Sequence, residues 1–242
     1  GELRGLNLDT PRNFKLLPYV VGSANRNFTP GATTDLDRDV GFDAKFGITP
    51  STNLDVTYNT DFAQVEVDTQ QINLSRFNLR FPEKRPFFLE NSGLFAIGKG
   101  DELDLFFSRR IGLDEDGLLV PIRGGARLSG KVNGVNVGAL NMQTGDAGTR
   151  PGSNFSVLRV SRELRNRSGI GAMFVNRSAT GSRAGDGDWN RTWGADARYG
   201  IGEHVTVAGF AARTETPGPT RRGFAYNLRS EYNDGGHRLR FV

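Results

Sequence analysis

The chain has 242 residues, with 32 Gly, 17 Phe, no Cys and only two His. It carries 31 basic against 27 acidic residues, a formal charge of +4. Zero Cys excludes disulfides, thiolate metal sites and cysteine nucleophiles, and two His leave little room for a histidine zinc site. No apolar run of about 18 residues is present, which excludes a transmembrane helix but says nothing about strands that cross a membrane.

In chain order the dominant pattern has period two. Val40, Phe42, Ala44, Phe46 and Ile48 alternate with Gly41, Asp43, Lys45 and Gly47, and after a turn at Pro50-Ser51 so do Leu54, Val56 and Tyr58 with Asp55, Thr57 and Asn59. Successive strand side chains point to opposite faces, so each segment predicts one apolar and one polar face. Ala126, Leu128, Gly130 and Val132 repeat it, then Val135, Val137 and Ala139 after the hairpin dipeptide Asn133-Gly134. Trp193 to Tyr199 and Phe224 to Tyr232 repeat it again. The spacing predicts strands over 14–25, 40–48, 53–61, 70–81, 102–111, 118–130, 134–144, 154–164, 169–177, 189–200, 203–214, 223–232 and 237–242. Short turns near 49–53, 131–134, 165–169, 200–204 and 233–236 alternate with longer polar loops near 26–39, 145–153, 177–188 and 214–222.

The expected fold is all-β: an antiparallel meander forming a partial or complete outer-membrane-type barrel of about 12–13 strands. Phe28, Tyr58, Phe155, Trp189, Tyr199, Phe224 and Tyr232 fall near strand ends, where interfacial girdles would place them. Asp43, Lys45, Asp55, Arg127, Lys131, Asp196, Arg198, Arg229 and Glu231 fall on the polar face. The whole chain, 1–242, reads as one domain, and the opening at Gly1-Glu2-Leu3-Arg4 without Met suggests a fragment of a longer protein.

Residues 82–101 break the meander. Pro82 and Pro86 exclude a central strand, while Phe87, Phe88, Leu89, Leu94, Phe95 and Ile97 are too apolar for a solvated loop. This insertion is expected to act as a plug inside the barrel or at its rim. Glu83, Lys84, Arg85, Phe87, Phe88 and Glu90 are its expected anchoring or binding residues, with Arg109 and Arg110 arriving later to pair with a carboxylate. Glu83 and Glu90 could also serve as an acid and base, but no other active-site pattern accompanies them. There is no G-x-S-x-G, no P-loop and no dinucleotide fingerprint. No cofactor and no metal centre are expected, and an enzyme is the less favoured reading. Asp35, Asp37 and Asp39 recur at spacing two, as at the start of a calcium loop. Val40 and Phe46 stand where an EF-hand needs Gly and Glu, so only a loose surface calcium site is left open there. His204 and His237 have no companion at metal spacing. Arg, 26 of the 31 basic residues, is scattered among acidic residues, so no nucleic-acid partner is expected.

Residues 60–112 carry a family resemblance. The runs Thr60-Asp61-Phe62-Ala63-Gln64-Val65-Glu66-Val67-Asp68, Asn73-Leu74-Ser75-Arg76-Phe77, Phe81-Pro82-Glu83-Lys84-Arg85-Pro86-Phe87-Phe88-Leu89-Glu90 and Phe106-Phe107-Ser108-Arg109-Arg110-Ile111-Gly112 are similar to the DUF5916 family. So are Gly1-Glu2-Leu3-Arg4-Gly5-Leu6, Leu17-Pro18-Tyr19 and Ile122-Arg123-Gly124-Gly125-Ala126-Arg127-Leu128-Ser129-Gly130-Lys131, so that the resemblance covers roughly 1–145. It implies a barrel-like domain of unknown function from Gram-negative bacteria, located in the cell outer membrane with the lipid bilayer as partner. Such domains usually follow a module resembling family 9 carbohydrate-binding domains. No such module is present here, so carbohydrate would be a partner only through that missing part. The expected function is solute passage or surface glycan handling. The alternatives are a glycan-acting hydrolase and a soluble periplasmic β-sandwich that binds partners.

Overall fold

Alternating apolar and polar residues, punctuated by Gly and Asn turns, fold into a single antiparallel sheet. The computed structural model describes residues 13–26, 34–60, 82–97, 104–113, 120–218 and 222–241. Among these are eleven strands: β1 (Phe14–Arg26), β2 (Thr34–Thr49), β3 (Thr52–Thr60), β4 (Ile122–Val132), β5 (Val135–Thr144), β6 (Gly152–Glu163), β7 (Gly169–Thr180), β8 (Trp189–Ile201), β9 (Val205–Glu215), β10 (Arg222–Asn233) and β11 (Arg238–Phe241). Each pairs with the next in sequence, so the sheet is a pure meander; among the described residues β1 and β11 pair on one side only and do not close the sheet on each other.

Because direction reverses at every strand, the connections sort by end. Residues 50–51, 133–134, 164–168, 202–204 and 234–237 turn at one end, and 27–33, 61–121, 145–151, 181–188 and 216–221 connect at the other. The β4–β5 turn is set by Asn133 and Gly134, both with positive φ (49° and 80°), the geometry that matches strand twist in a two-residue hairpin.

Register separates two faces. On one, here called the open face, cross-strand rows run Ala139–Leu158–Phe174–Trp193–Arg213–Phe224 and Val137–Val160–Ala172–Ala195–Ala211–Tyr226. Large apolar side chains on it stay exposed, among them Phe14 (58%), Leu158 (53%), Ile170 (55%), Tyr199 (64%) and Tyr226 (82%). Phe42 stacks on Tyr58 across strands there and Phe174 packs tilted against Trp193, with ring centroids 5.8 and 5.7 Å apart. Nearer the long-connection end the same face turns polar, in the row Asn141–Ser156–Asn176–Arg191–Glu215. The opposite, covered face holds the core. Leu140, Met142, Val157, Met173 and Phe210 of the sheet pack against Phe88, Phe95, Ile97 and Ile111 of the β3–β4 connection.

The sequence reading needs three corrections. No strand forms over the described part of 102–111: residues 104–113 run across the covered face and close a 3-10 turn at Ser108–Arg110. Within the loop expected over 26–39, the described residues Arg26 and Thr34 to Asp39 are strand, because β2 begins at Thr34 and extends past the apolar alternation. Asp35, Asp37 and Asp39 therefore lie in β2 opposite Asn25, Ser23 and Val21. Phe155 packs beside the covered core instead of joining an outer aromatic girdle, since it pairs with Met142 and shares its face. The strand expected at 70–81 and the girdle residue Phe28 lie outside the described residues.

Candidate functional site

The connection between β3 and β4 supplies the segment that covers the sheet. Pro86 sits at the first position of a one-turn helix, α1 (Pro86–Leu89), where its fixed φ is tolerated and its missing N–H costs nothing. A 3-10 turn, Ser92–Phe95, follows. Together they aim Phe88 and Phe95 inward, 5% and 8% exposed, while Phe87 is half-buried. The sheet makes room with glycines: Gly138 lies under Phe95, and Gly194 lies under Leu105 and Ile97, where a Cβ would fall 2.3–3.1 Å from the apolar atoms above.

Two polar clusters fasten the segment. In the first, register places Lys45, Asp55 and Arg127 in one row across β2, β3 and β4. Arg127, 2% exposed, donates to Asp55 Oδ2 at 2.8 Å from Nη2 and 3.3 Å from Nε. Its Nη1 donates to the Phe87 carbonyl and, at 2.5 Å, to the Glu90 carbonyl. Its Nη2 also lies 3.4 Å from Glu90 Oε2, and the guanidinium stands 5.2 Å from the Phe87 ring centre. Lys45 pairs with Glu90 and lies 3.9 Å from Asp55. The four charges sum to zero, and the carbonyls absorb the remaining donors, as a desolvated guanidinium requires. One strand row below, Asn91 Nδ2 donates to Ser129 Oγ at 3.0 Å.

The second cluster is internal to the connection. Arg85, 2% exposed, grips Glu83 through two parallel 2.7 Å bonds. It also donates to the carbonyls of Ile111 (2.6 Å) and Ser108 (2.7 Å) and stands 4.2 Å over the Phe88 ring. The Ser108 hydroxyl donates to Glu83 Oε2 at 2.7 Å. One bidentate pair thus staples residues 83–88 to 108–111.

These contacts set the carboxylates. Burial pushes Glu83 up, but the hydrogen bonds and charge of Arg85, with the Ser108 hydroxyl, outweigh it and hold the group below the usual carboxylate range. The Lys45 ammonium hydrogen bond chiefly lowers Glu90, with the charges of Lys45 and Arg127 adding to it. Both stay ionised at neutral pH, the opposite of what a general acid needs.

Of the residues singled out in sequence, Glu83, Arg85, Phe87, Phe88 and Glu90 come together here. Lys84 is half-buried beside them. Arg109 and Arg110 lie in the Ser108–Arg110 turn, the first half-buried and the second exposed. Asp39 is exposed and accepts from Asn59, remote from both clusters; the side chains of Asp35 and Asp37 lie outside the described residues. Among the described residues, no group of three or more His, Asp or Glu could hold a metal ion. Lys45, Asp55 and Arg127 read from sequence only as wall charges, and Asn91 and Ser129 gave no signal. Their meeting depends on β3 pairing with β4 across a long insertion, which no local pattern announces.

Residues 10–119 match the model of a family described as a domain of unknown function, DUF5916. That span takes in β1 to β3 and the covering segment and stops short of β4. No curated protein matches the chain.

Proposed function

We propose that this chain, whose residues 10–119 belong to the DUF5916 family, is an outer-membrane-type β-barrel protein whose 82–113 segment narrows a passage for solutes. The carrying observation is that the sheet exposes a second apolar face on the side opposite its covered core. In a water-soluble antiparallel sheet the apolar face packs on the core and the polar face meets solvent. Here large apolar side chains line the open face, while buried charges such as Asp55, Arg127 and Arg159 lie on the covered one. On β8 the outward residues Trp193, Ala195, Ala197, Tyr199 and Ile201 span eight rises of about 3.3 Å, or about 26 Å along the strand. An outer-membrane barrel presents an apolar band about 25 Å tall on strands tilted about 35–45°, so this stretch covers about 20 Å of its height. Long connections at one end and short turns at the other fit the same architecture.

Solute passage is favoured over surface glycan handling because the segment and the charged rows share the covered face, where they would set selectivity by size and field. Glu83 and Glu90 are both engaged in the ion pairs that anchor the segment, which speaks against a hydrolase. A sandwich would need a second sheet, and the described strands all belong to one. In a bilayer the edges β1 and β11 would have to be paired, since unsatisfied backbone groups in hydrocarbon cost several kcal/mol each. The test is release of a trapped small solute from liposomes carrying the protein. Deleting 86–98 speeds release while heat-modifiable folding persists. Unchanged release from a folded deletion variant, or recovery of the native protein in the aqueous phase without detergent, contradicts the proposal.

A further inference from the structure

At the short-turn end of β8 to β10, the covered face holds a cavity of about 270 Å³ that no described residue of the 82–113 segment lines. Its floor is Ala208, 8% exposed. Register sets Arg198 of β8 and Arg229 of β10 directly opposite Ala208 on the two flanking strands. Two strand spacings of about 4.8 Å put their backbones about 10 Å apart. With only a methyl group between them, the two guanidiniums form walls around a gap.

Arg167 enters from the 164–168 turn and is fixed there by its own Nη2 bonds to the carbonyls of Gly202 (3.0 Å) and Val205 (3.4 Å). Its carbonyl in turn accepts from Arg198 Nε at 2.8 Å, while Arg198 Nη2 bonds Glu163 at 2.8 Å. Glu231 also lines the cavity, with Arg238 3.5 Å away. His204 completes the rim, its Nδ1 donating to the Asn233 carbonyl at 3.2 Å. The lining itself carries three arginines (167, 198 and 229) against one glutamate (231). The arrangement is built before any ligand arrives: carbonyls hold two of the guanidiniums, and a concave wall of one net sign focuses the field into the gap.

We infer that this cavity is a binding site for a small soluble dianion of the phosphate or dicarboxylate type, seated between Arg198 and Arg229 over Ala208. Guanidinium donors on two sides match the oxygens of such a ligand. The cavity lies on the face opposite the exposed apolar rows, which directs it to a solute and away from a lipid headgroup. The inference stands on the sheet alone, so its failure would leave the lipid-facing proposal untouched, and the reverse also holds.

The test is calorimetric titration of inorganic phosphate, and separately of succinate, into the full chain folded in neutral detergent. The expected result is saturable binding of at least one of them, weakening as sodium chloride is raised. Arg229→Gln weakens it at least about tenfold, the worth of one charge-assisted hydrogen bond, and Arg229→Lys recovers part of the loss. Arg183→Gln, in the 181–188 connection at the other end of the sheet, leaves it unchanged. Circular dichroism shows that each variant is folded. Absence of saturable binding of both anions by the unsubstituted protein overturns the inference, as does equal binding by a folded Arg229→Gln.

Discussion

Replacing Arg127 with Met tests how the covering segment is held. The change keeps a long apolar stem and removes the charge and the whole fork of donors. Asp55, 7% exposed, would be left with Lys45 Nζ 3.9 Å away, and the carbonyls of Phe87 and Glu90 would lose their shared donor. Breaking one side of a buried ion pair costs about 3–5 kcal/mol, a large part of the roughly 5–15 kcal/mol that stabilises a typical domain. Glu90 is too exposed to add much. Two assays read the effect separately. Urea unfolding in detergent gives the global loss. Thiol labelling of Ser129→Cys, a near-isosteric reporter 1% exposed beneath Asn91 in a chain without other cysteines, gives the local loss. Arg127→Met should lower stability by about 3–5 kcal/mol and speed labelling at 129, and adding Asp55→Asn should recover part of the loss. A change under about 1 kcal/mol with labelling still slow would refute the account of the anchor, since that is the size expected of an exposed pair.

Two further outcomes follow from the faces and the carboxylates. Leu158→Arg, on the open face of β6, should cost about 2–4 kcal/mol in lipid, against less than about 1 kcal/mol for Ser161→Arg on the covered face; equal tolerance in a liposome folding assay would mean the open face meets water. Glu83 has its folded value below the ordinary 4.5. Its contribution is therefore complete above that value and drains away as pH falls through the lower folded one. Hydrogen exchange over 82–97, corrected for intrinsic rates, should rise across that acid window in the unsubstituted protein, and Glu83→Gln should show fast exchange already at pH 7.

Much of the sheet was legible because its signal is local. Alternation such as Trp193, Ala195, Ala197 and Tyr199 needs only two-residue spacing to declare a face, and Asn133-Gly134 declares its own turn. The failures share a physical cause. Alternation reports an extended chain with one side buried, whatever buries it, so Leu103, Leu105 and Phe107 read as a strand although residues 104–113 lie across the sheet instead of within it. The first residues of β2, Thr34 to Asp39, extend beyond the apolar rows and carry no contrast to read. The covering segment announced itself through Pro82, Pro86 and its phenylalanines, which cannot sit in a ladder or in water. Its partners Lys45, Asp55 and Arg127 did not, because a register between strands separated by residues 61–121 is fixed by the fold and not by any neighbour in sequence.

The central claim is that the open face meets lipid, and the two tryptophans offer a direct reading of it. Both lie on the open face of β8, Trp193 within the apolar rows and Trp189 above them, beside Arg191. With Trp189→Phe isolating Trp193, fluorescence is compared in liposomes of ordinary and of acyl-chain-brominated phosphatidylcholine. The account predicts strong quenching by the brominated chains and little by aqueous acrylamide. Quenching by acrylamide with none by bromine would place Trp193 in water and contradict it.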